Sequence, residues 1–183
     1  MRKDFGAKPL IYPMPVLIIG TYDENGVPNA MNAAWGGISG DTEITICLSE
    51  SHKTTQNILK TKAFTVSMAT LAQEIACDYV GIASGNKDSD KIEKVGWHAE
   101  KSANVNAPLF AELPMTIECE FVSYENEHMI GKIVNVCADE SILTDGKIDV
   151  AKLQPITYDS VDHKYYALGK AVGQAFSDGK KIK

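Results

Sequence analysis

A cluster of hydroxyl and basic side chains stands at the predicted start of a short helix. The segment SESHKTT carries Ser49, Ser51, Lys53 and Thr54, and helical periodicity begins at its end. Backbone N–H groups at a helix N-terminus carry partial positive charge, a lysine adds a full charge, and hydroxyls donate further hydrogen bonds. These residue types favour binding of a phosphate or another anion. The alternative is a polar turn in which Thr54 caps the helix.

The stretch AMNAAWGGISG, residues 30–40, has the length of a strand but an unusual composition for one. A strand that serves only a core would use larger, branched residues. Small residues beside an aromatic let a flat ligand approach the backbone, whose polar groups can bind its edge. The alternative is an edge strand with a bulge at Gly36–Gly37. Four residues would contact such a ligand: Asn32, Ala33, Ala34 and Trp35.

Together, the two features describe a ligand that has a flat ring and a phosphate. One predicted hairpin separates residues 30–40 from the hydroxyl cluster, so the two lie near each other in the chain. A mononucleotide-like cofactor combines both parts. FMN fits, with its ring on the strand around Asn32 and its phosphate near Thr54. A single anion-binding cluster, with no second pyrophosphate-binding loop visible in the sequence, favours FMN over FAD.

Composition and charge argue against several other classes of function. The 183 residues are 44% apolar and 23% charged, as expected for one globular domain over residues 1–183. A net charge of −6 without a basic cluster argues against nucleic-acid binding. The histidines and cysteines lack metal-ligand spacing, so we expect no metal site. The N-terminus has no hydrophobic signal region, and no apolar run approaches membrane-spanning length, so we expect a cytoplasmic protein without membrane contact.

Hydrophobic periodicity predicts a mainly β chain with a few short helices. Strand patterns cover residues 16–21, 43–48, 63–68, 115–124, 129–138 and 165–168. Helical patterns cover residues 54–60, 70–82 and 89–95. The second helix opens with a capping box of Thr70 and Gln73, and its predicted buried face includes Ile75 and Val80. These elements predict a single, barrel-like α+β domain.

Two further expectations concern side chains on the predicted strands. Glu118 and Glu120 alternate with apolar residues, so both are assigned to the outward face of strand 115–124. Cys47, Cys119 and Cys137 also lie in strand patterns, where cysteine usually behaves as a small buried hydrophobe.

Several motifs follow one another in an order that carries a family resemblance. The longest is GAKPLIYPMPVLIIGTYDENGVPNAMNAAWGGI, followed by KTTQNI, AFTVSM, GIASGNKDSDKIEKVG, LPMTIECE, IGKIVNV and YYALGKAVGQAFSDGK. In these motifs the chain resembles the flavin reductase-like family with an FMN-binding split barrel, and within it the flavoredoxin-like branch. The resemblance implies an α+β, mainly β fold: a split β-barrel with flanking short helices, assembled as a homodimer.

The resemblance also implies roles for individual residues. Residues 32–35 correspond to the ring-binding strand, and Thr54 to the phosphate-binding hydroxyl with Lys53 beside it. Lys91 corresponds to a lysine near the flavin, and follows a glycine-rich segment at 81–85 that is expected to fold over the ligand.

Some of these assignments have alternatives. The late aromatic of the family falls on Tyr165 or Tyr166, one of which should point inward. Trp35 could instead be a core or dimer-interface aromatic. Lys91 could be one of three solvated lysines on a short helix, together with Lys87 and Lys94. The histidine that many relatives carry before the strand IGKIVNV has no clear counterpart, because the hairpin around His128 is short.

The expected function is that of an FMN-binding oxidoreductase. The resemblance implies NAD(P)H-linked flavin reduction or electron transfer through bound FMN. NAD(P)H and a redox partner protein are therefore candidate partners. The alternatives are a non-enzymatic FMN electron carrier between proteins, and a flavin storage or sensing module.

Overall fold

The computed structural model describes residues 1–182 and is dominated by β-structure. Its strands are β1 Met14–Pro15, β2 Leu17–Tyr22, β3 Pro28–Ala33, β4 Gly36–Gly40, β5 Glu43–Cys47, β6 Ala63–Met68, β7 Ala99–Lys101, β8 Pro108–Phe110, β9 Met115–Glu125, β10 His128–Ala138, β11 Leu143–Thr144, β12 Lys147–Ile148, β13 Ile156–Asp159 and β14 Lys164–Ala167. The α-helices are α1 Lys53–Thr61, α2 Glu74–Ile82, α3 Lys91–Lys94 and α4 Val150–Leu153. Short 3₁₀ turns lie at Leu71–Gln73, Glu140–Ile142 and Asp178–Lys181. None of the helices within residues 1–182 is long and apolar enough to cross a bilayer.

Seven antiparallel strands form one sheet in the order β3-β2-β6-β9-β10-β5-β4. The two edge strands, β3 and β4, are consecutive in the chain and are joined by only Ala34 and Trp35. A flat sheet of seven strands would separate its edges by about 29 Å, far more than two residues can span. The sheet must therefore curl until its edges nearly meet, which confirms the barrel-like, mainly β architecture expected from the sequence.

Two apolar clusters cover the two faces of the curled sheet. Leu17 and Ile19 on β2 join the inner cluster with Phe64 and Met129, while Ile18 belongs to the outer cluster. The outer cluster also contains helix residues of α2, such as Cys77 and Val80, which are fully buried. Because β2 is covered on both faces, it is a nearly continuous hydrophobic run in the sequence.

Most predicted strands and turns are confirmed within one residue at each end. The turn at 23–26 closes the β2–β3 hairpin through the Gly26 N–H bond to the Asp23 carbonyl, at 3.0 Å. The β9–β10 hairpin turns at Asn126 and Glu127, whose φ angles are +50° and +64°. Two positive φ values in succession are typical of the type I′ turn that matches the twist of paired strands.

The prediction of one strand over residues 30–40 is wrong. The chain leaves β3 after Ala33, crosses at Ala34 and Trp35, and re-enters the other sheet edge as β4. The Trp35 carbonyl accepts a 2.8 Å hydrogen bond from the Cys47 N–H, which fixes the crossing. β4 is an edge strand as the alternative proposed, but its irregularity lies between Ile38 and Gly40 rather than at Gly36–Gly37.

The prediction for helix 70–82 is correct in place and wrong in detail. The side chain of Thr70 makes no capping bond, and a 3₁₀ turn at Leu71–Gln73 precedes α2. Helix α2 packs its Cys77 and Val80 side chains into the outer cluster, while Ile75 lies on the other side and is 81% exposed. The third helix is also shorter than predicted, since α3 covers Lys91–Lys94 only.

Two strand side chains are placed opposite to expectation. Glu118 is buried, because the segment between β7 and β8 covers this part of β9, whereas Glu120 is exposed as predicted. Cys119 is buried as expected, but Cys47 is exposed because it lies at the end of β5 beside the crossing at Trp35.

Candidate functional site

A cavity of about 380 Å³ opens where the chain crosses from β3 to β4. One wall is the continuous segment 31–35, so all four residues of the predicted ring-binding stretch line it. Tyr158, His163 and Tyr165 from the β13–β14 hairpin form another wall. Because Ala33 and Ala34 have only methyl side chains, the crossing leaves the backbone open to a flat ligand.

Aromatic rings stand along one side of this first cavity. The ring centroids of Trp35 and Tyr158 are 6.4 Å apart, and those of Tyr158 and Tyr165 are 5.8 Å apart. Such spacings are typical of tilted aromatic pairs. Trp35 is 46% exposed, so the alternative that it is a core aromatic is wrong. Trp35 lines this cavity and also a neighbouring groove beside Pro13 and Ile38.

Tyr165, and not Tyr166, points into the cavity. The Tyr165 hydroxyl donates a 2.8 Å hydrogen bond to Asp78 Oδ1 and lies 3.3 Å from Asn32 Nδ2. Burial and the bond to Asp78 raise the pKa of Tyr165, so the phenol keeps its proton at neutral pH. Tyr166 is 50% exposed and does not line the cavity.

The end of α2 packs directly on β3. A Cβ atom at Gly81 would lie 2.8 Å from the Asn32 Cβ, so a larger residue there would push the helix away from the strand. At this distance Asn32 Nδ2 reaches the Cys77 carbonyl, at 3.2 Å. The glycine therefore allows the contact that orients the Asn32 side chain.

A second cavity of about 200 Å³ adjoins the first at the start of α1. It is smaller, and its lining includes two lysines, whereas the lining of the first cavity includes none. The two cavities share the lining residues Met31, His52, Gly81 and Ile82. The polar groups that line only the second cavity include Asn29, Lys53, Thr54 and Lys91.

Helix α1 begins at Lys53 and directs its first turn toward the second cavity. The N-cap is His52, whose side chain makes no capping bond. The alternative that Thr54 caps the helix is therefore wrong. The first bond of the helix runs from the Gln56 N–H to the His52 carbonyl, at 3.1 Å. The N–H groups of residues 53–55 precede that bond and are left for another acceptor.

Thr54 and Asn29 form a buried polar pair in this cavity. Asn29 Nδ2 donates a 2.7 Å hydrogen bond to the Thr54 hydroxyl, which is 1% exposed. Since the hydroxyl accepts from the amide, its own proton remains for another partner. Asn29 Oδ1 is buried and has no hydrogen-bond partner within the described residues.

Lys91 lies in the second cavity and is 2% exposed. Its ammonium donates to the carbonyls of Val80, at 3.1 Å, and Ala83, at 2.9 Å. Burial lowers the pKa of Lys91 to about 8. Lys87 and Lys94 are exposed, so the alternative of three equivalent solvated lysines is wrong.

The segment after α2 closes over the second cavity. A Cβ atom at Gly85 would lie 2.3 Å from Asn29 Oδ1 and 3.1 Å from Lys53 Cγ, so only glycine allows this approach. Asn86 Nδ2 then donates to the Ser51 carbonyl, at 3.0 Å. Gly81 and Ile82 belong to α2, so the covering loop is shorter than the expected segment 81–85.

Ser49 and Ser51 are the predicted site residues that line neither cavity. Their hydroxyls are 3.1 Å from each other at the rim of α1. The Ser49 carbonyl accepts a 2.8 Å bond from the Thr55 hydroxyl. The two serines thus shape the turn before α1.

Sequence reasoning missed several residues that line the two cavities. His52 stood inside the hydroxyl cluster, so its position carried a signal. Asp78 lies on a helix among apolar residues, and its place in the first cavity depends on how α2 packs on β3. The missed lining residues include Asn29, Cys47, His52, Asp78, Tyr158 and His163.

Comparison with known proteins decides the family. The sequence model described as "Flavin reductase like domain" matches residues 10–159, which is most of the chain. The chain belongs to this flavin reductase-like family. No curated protein sequence matches it significantly.

Solved structures of the flavin reductase-like type superimpose over nearly the whole chain. Flavoredoxin of Desulfovibrio vulgaris (Miyazaki F) is 38% identical, with a TM-score of 0.94 over 98% of this chain and 100% of that one. Flavoredoxin from Methanosarcina acetivorans is 23% identical, with a TM-score of 0.89 over 100% of both chains. An FMN-binding domain of a flavin reductase-like enzyme from Shewanella baltica OS155 is 20% identical, with a TM-score of 0.77 over 87% of this chain and 88% of that one. These likenesses confirm the split β-barrel fold.

Proposed function

We propose that this flavin reductase-like protein binds FMN across the two adjoining cavities and uses it for electron transfer. The observation that carries the proposal is the junction of an aromatic-lined cavity with a smaller one that is lined by two lysines. The first suits a ring and the second an anion, and they share four lining residues. FMN has both parts, joined by a ribityl chain.

The second cavity suits a phosphate because its lining carries two lysines and a threonine and no acidic residue. Thr54 has a free hydroxyl proton, Lys53 and Lys91 supply positive charge, and the first turn of α1 supplies backbone N–H groups. The unpartnered Asn29 Oδ1 is the one buried acceptor there within the described residues that has no donor. A hydroxyl of the ribityl chain could satisfy it.

The first cavity suits the ring because its lining combines aromatic side chains with polar groups. Ala33 and Ala34 leave backbone groups accessible, and Trp35 and Tyr158 supply apolar surface. Bound flavin supplies one- and two-electron redox chemistry. Tyr165 holds its phenolic proton beside the ring site, because its pKa is raised. Lys91 holds positive charge at the anion end of the site instead of at the ring.

Two modes of electron transfer are open to such a flavoprotein. In the first, NAD(P)H reduces the flavin, and the protein is an oxidoreductase. In the second, the protein carries electrons between protein partners. The 38% identity to a flavoredoxin favours electron transfer through a tightly held flavin. Anaerobic stopped-flow mixing of the flavin-loaded protein with NADH or NADPH distinguishes the two modes. Rapid bleaching of the flavin absorption band supports the oxidoreductase, and no bleaching supports the electron carrier.

We further propose that the chain functions as a homodimer. Apolar side chains on both terminal segments project from the chain, including Phe5, Val172 and Phe176 at 62%, 101% and 97% exposure. Exposed apolar surface of this kind marks an association site. Sedimentation velocity should give a dimer at micromolar concentration, and a monomer for the variant Val172→Asp/Phe176→Asp. A native monomer would contradict this proposal.

The identity of the cofactor tests the proposal for FMN. Protein purified with its flavin is heated, and the released compound is chromatographed against FMN, FAD and riboflavin. We expect FMN. Recovery of FAD alone, or of no flavin even after reconstitution, would overturn the proposal.

The four free cysteines suit a reducing, cytoplasmic location, so expression in the cytoplasm is the appropriate source for this experiment.

A further inference from the structure

Asp78 contributes a carboxylate to the lining of the first cavity. It lies at the middle of α2 and lines the cavity together with Tyr165 and Asn32. Its Oδ1 accepts a 2.8 Å hydrogen bond from the Tyr165 hydroxyl. This contact joins α2 to β14 across the mouth of the site.

The direction of each hydrogen bond in this group is fixed by chemistry. A carboxylate can only accept, so the single proton of the Tyr165 hydroxyl points to Asp78. The hydroxyl oxygen is then left to accept from the Asn32 amide, at 3.3 Å. The Cys77 carbonyl, 3.2 Å away, can also only accept. Both neighbours therefore require the nitrogen of the Asn32 side chain and exclude its oxygen.

This arrangement determines which polar atom Asn32 offers to a ligand. Both protons of Nδ2 are engaged, one by Cys77 and one by Tyr165. Oδ1 accepts no hydrogen bond from residues 1–182, and Asn32 lines the cavity. The side chain thus presents a hydrogen-bond acceptor. A flavin ring has one N–H in its oxidised form, the imide at N3, which lies between two carbonyl groups.

We propose that Asp78, acting through Tyr165, orients Asn32 so that its Oδ1 accepts the imide N–H of a flavin ring. Asp78 and Tyr165 are positioning residues in this account, and Asn32 makes the contact. The inference rests on the proposed binding of FMN. It makes the site specific for a ring with an N–H donor, because an amide free to rotate could equally offer its nitrogen.

The test compares FMN with N3-methyl-FMN, which lacks the imide proton. We expect native protein to bind FMN at least about tenfold more tightly than the methyl analogue, because a buried acceptor loses its donor. Asp78→Leu and Tyr165→Phe should lower this ratio several-fold, while the Cys77 carbonyl still holds one proton of Asn32 Nδ2. Asp78→Asn keeps an acceptor for the Tyr165 proton and should retain most of the discrimination. Tyr166→Phe, at an exposed neighbouring position, is the matched control and should leave the ratio unchanged.

A spectroscopic readout separates positioning from a loss of stability. The proton attached to ¹⁵N3 of labelled FMN should resonate downfield in native protein and in Asp78→Asn, and move upfield in Tyr165→Phe. If Asp78→Leu does not fold, Tyr165→Phe alone decides the question. Unchanged affinity ratios and unchanged N3 proton shifts in folded variants that still bind FMN would overturn the inference. Failure of native protein to bind FMN would instead reject the proposed function.

Discussion

Asn29 on β3 and Thr54 in the first turn of α1 share a buried 2.7 Å hydrogen bond at the anion end of the proposed site. The amide donates and the hydroxyl accepts, so the hydroxyl proton is left for a ligand oxygen. Thr54→Val keeps the shape and removes that proton. Loss of a hydrogen bond to a charged group should weaken FMN binding by about 1.5–3 kcal/mol, roughly ten- to hundredfold.

Thr55→Val is the matched control for this substitution. Thr55 is also buried in the first turn of α1, but its hydroxyl donates to the Ser49 carbonyl, at 2.8 Å, and it lines neither cavity. The Thr55→Val substitution should lower thermal stability with little effect on FMN affinity. If Thr54→Val lowered stability and left FMN affinity unchanged, Thr54 would have a structural role only.

Lys91 is expected to contribute to phosphate binding through its charge. Its ammonium holds two backbone carbonyls and has a third proton to donate. Lys91→Met keeps most of the stem and removes the charge, and should weaken FMN binding about tenfold or more while leaving riboflavin binding nearly unchanged. Lys94→Met, on the same helix but exposed, should affect neither. Equal small effects of both substitutions would remove Lys91 from the site.

The lowered pKa of Lys91 gives a pH dependence with a defined sign. In the ligand-free protein its pKa is about 8, and a bound phosphate should raise it, because the protonated form attracts the anion. FMN affinity should therefore begin to fall as the pH approaches 8 and continue to fall above it, by at most tenfold per pH unit. Titrations with Lys91→Met should show a flat profile in that range. A native profile that is equally flat would contradict this prediction.

Stability of the ligand-free protein should change in the opposite direction. The pKa of Lys91 is about 8 when folded and 10.5 in the reference state, so the unfolded chain binds more protons between those values. Stability should rise with pH across this window, by at most about 1.4 kcal/mol per pH unit from this group. Denaturant unfolding gives the free energy of unfolding of native protein and of Lys91→Met at each pH. The difference between the two slopes of this free energy against pH is the contribution of Lys91.

Glu118 is expected to stabilise the fold outside the site. Burial raises its pKa, but hydrogen bonds from Ser102, Asn135 and Asn104 outweigh that effect and lower it below its usual value. This stability is present above the unfolded pKa and lost as pH falls through the folded one. Glu118→Gln should cost about 1–3 kcal/mol at pH 7 and flatten the acid limb of the stability profile. Glu120→Gln, at an exposed position, should change neither the stability at pH 7 nor the acid limb of the profile.

The strands and both parts of the site could be predicted from the sequence because their signals are local. Alternation in β9 and β10, the turn at Asn126, and the small residues at Ala33 and Ala34 are all read within a few positions. The hydroxyl cluster predicted the place of the second cavity, although Ser49 and Ser51 lie at its rim.

The rest could not be predicted because it depends on contacts between distant segments. Asp78 reaches the first cavity only because Gly81 lets α2 pack on β3. Lys91 was assigned to the site through the family resemblance alone, because nothing local in the sequence shows that its ammonium is held by the carbonyls of Val80 and Ala83. Glu118 alternates as an outward residue should, and its burial comes from the separate segment that carries Ser102 and Asn104.

Calorimetric titration of the ligand-free protein with FMN and with riboflavin tests the central claim most directly. The two flavins share a ring and differ only in the phosphate. The ratio of their dissociation constants therefore measures how much the second cavity contributes to FMN binding. With at least two charge-assisted contacts from Thr54, Lys53 or Lys91, FMN should bind at least about a hundredfold more tightly. Equal affinities for the two compounds, or no binding of either, would contradict the account.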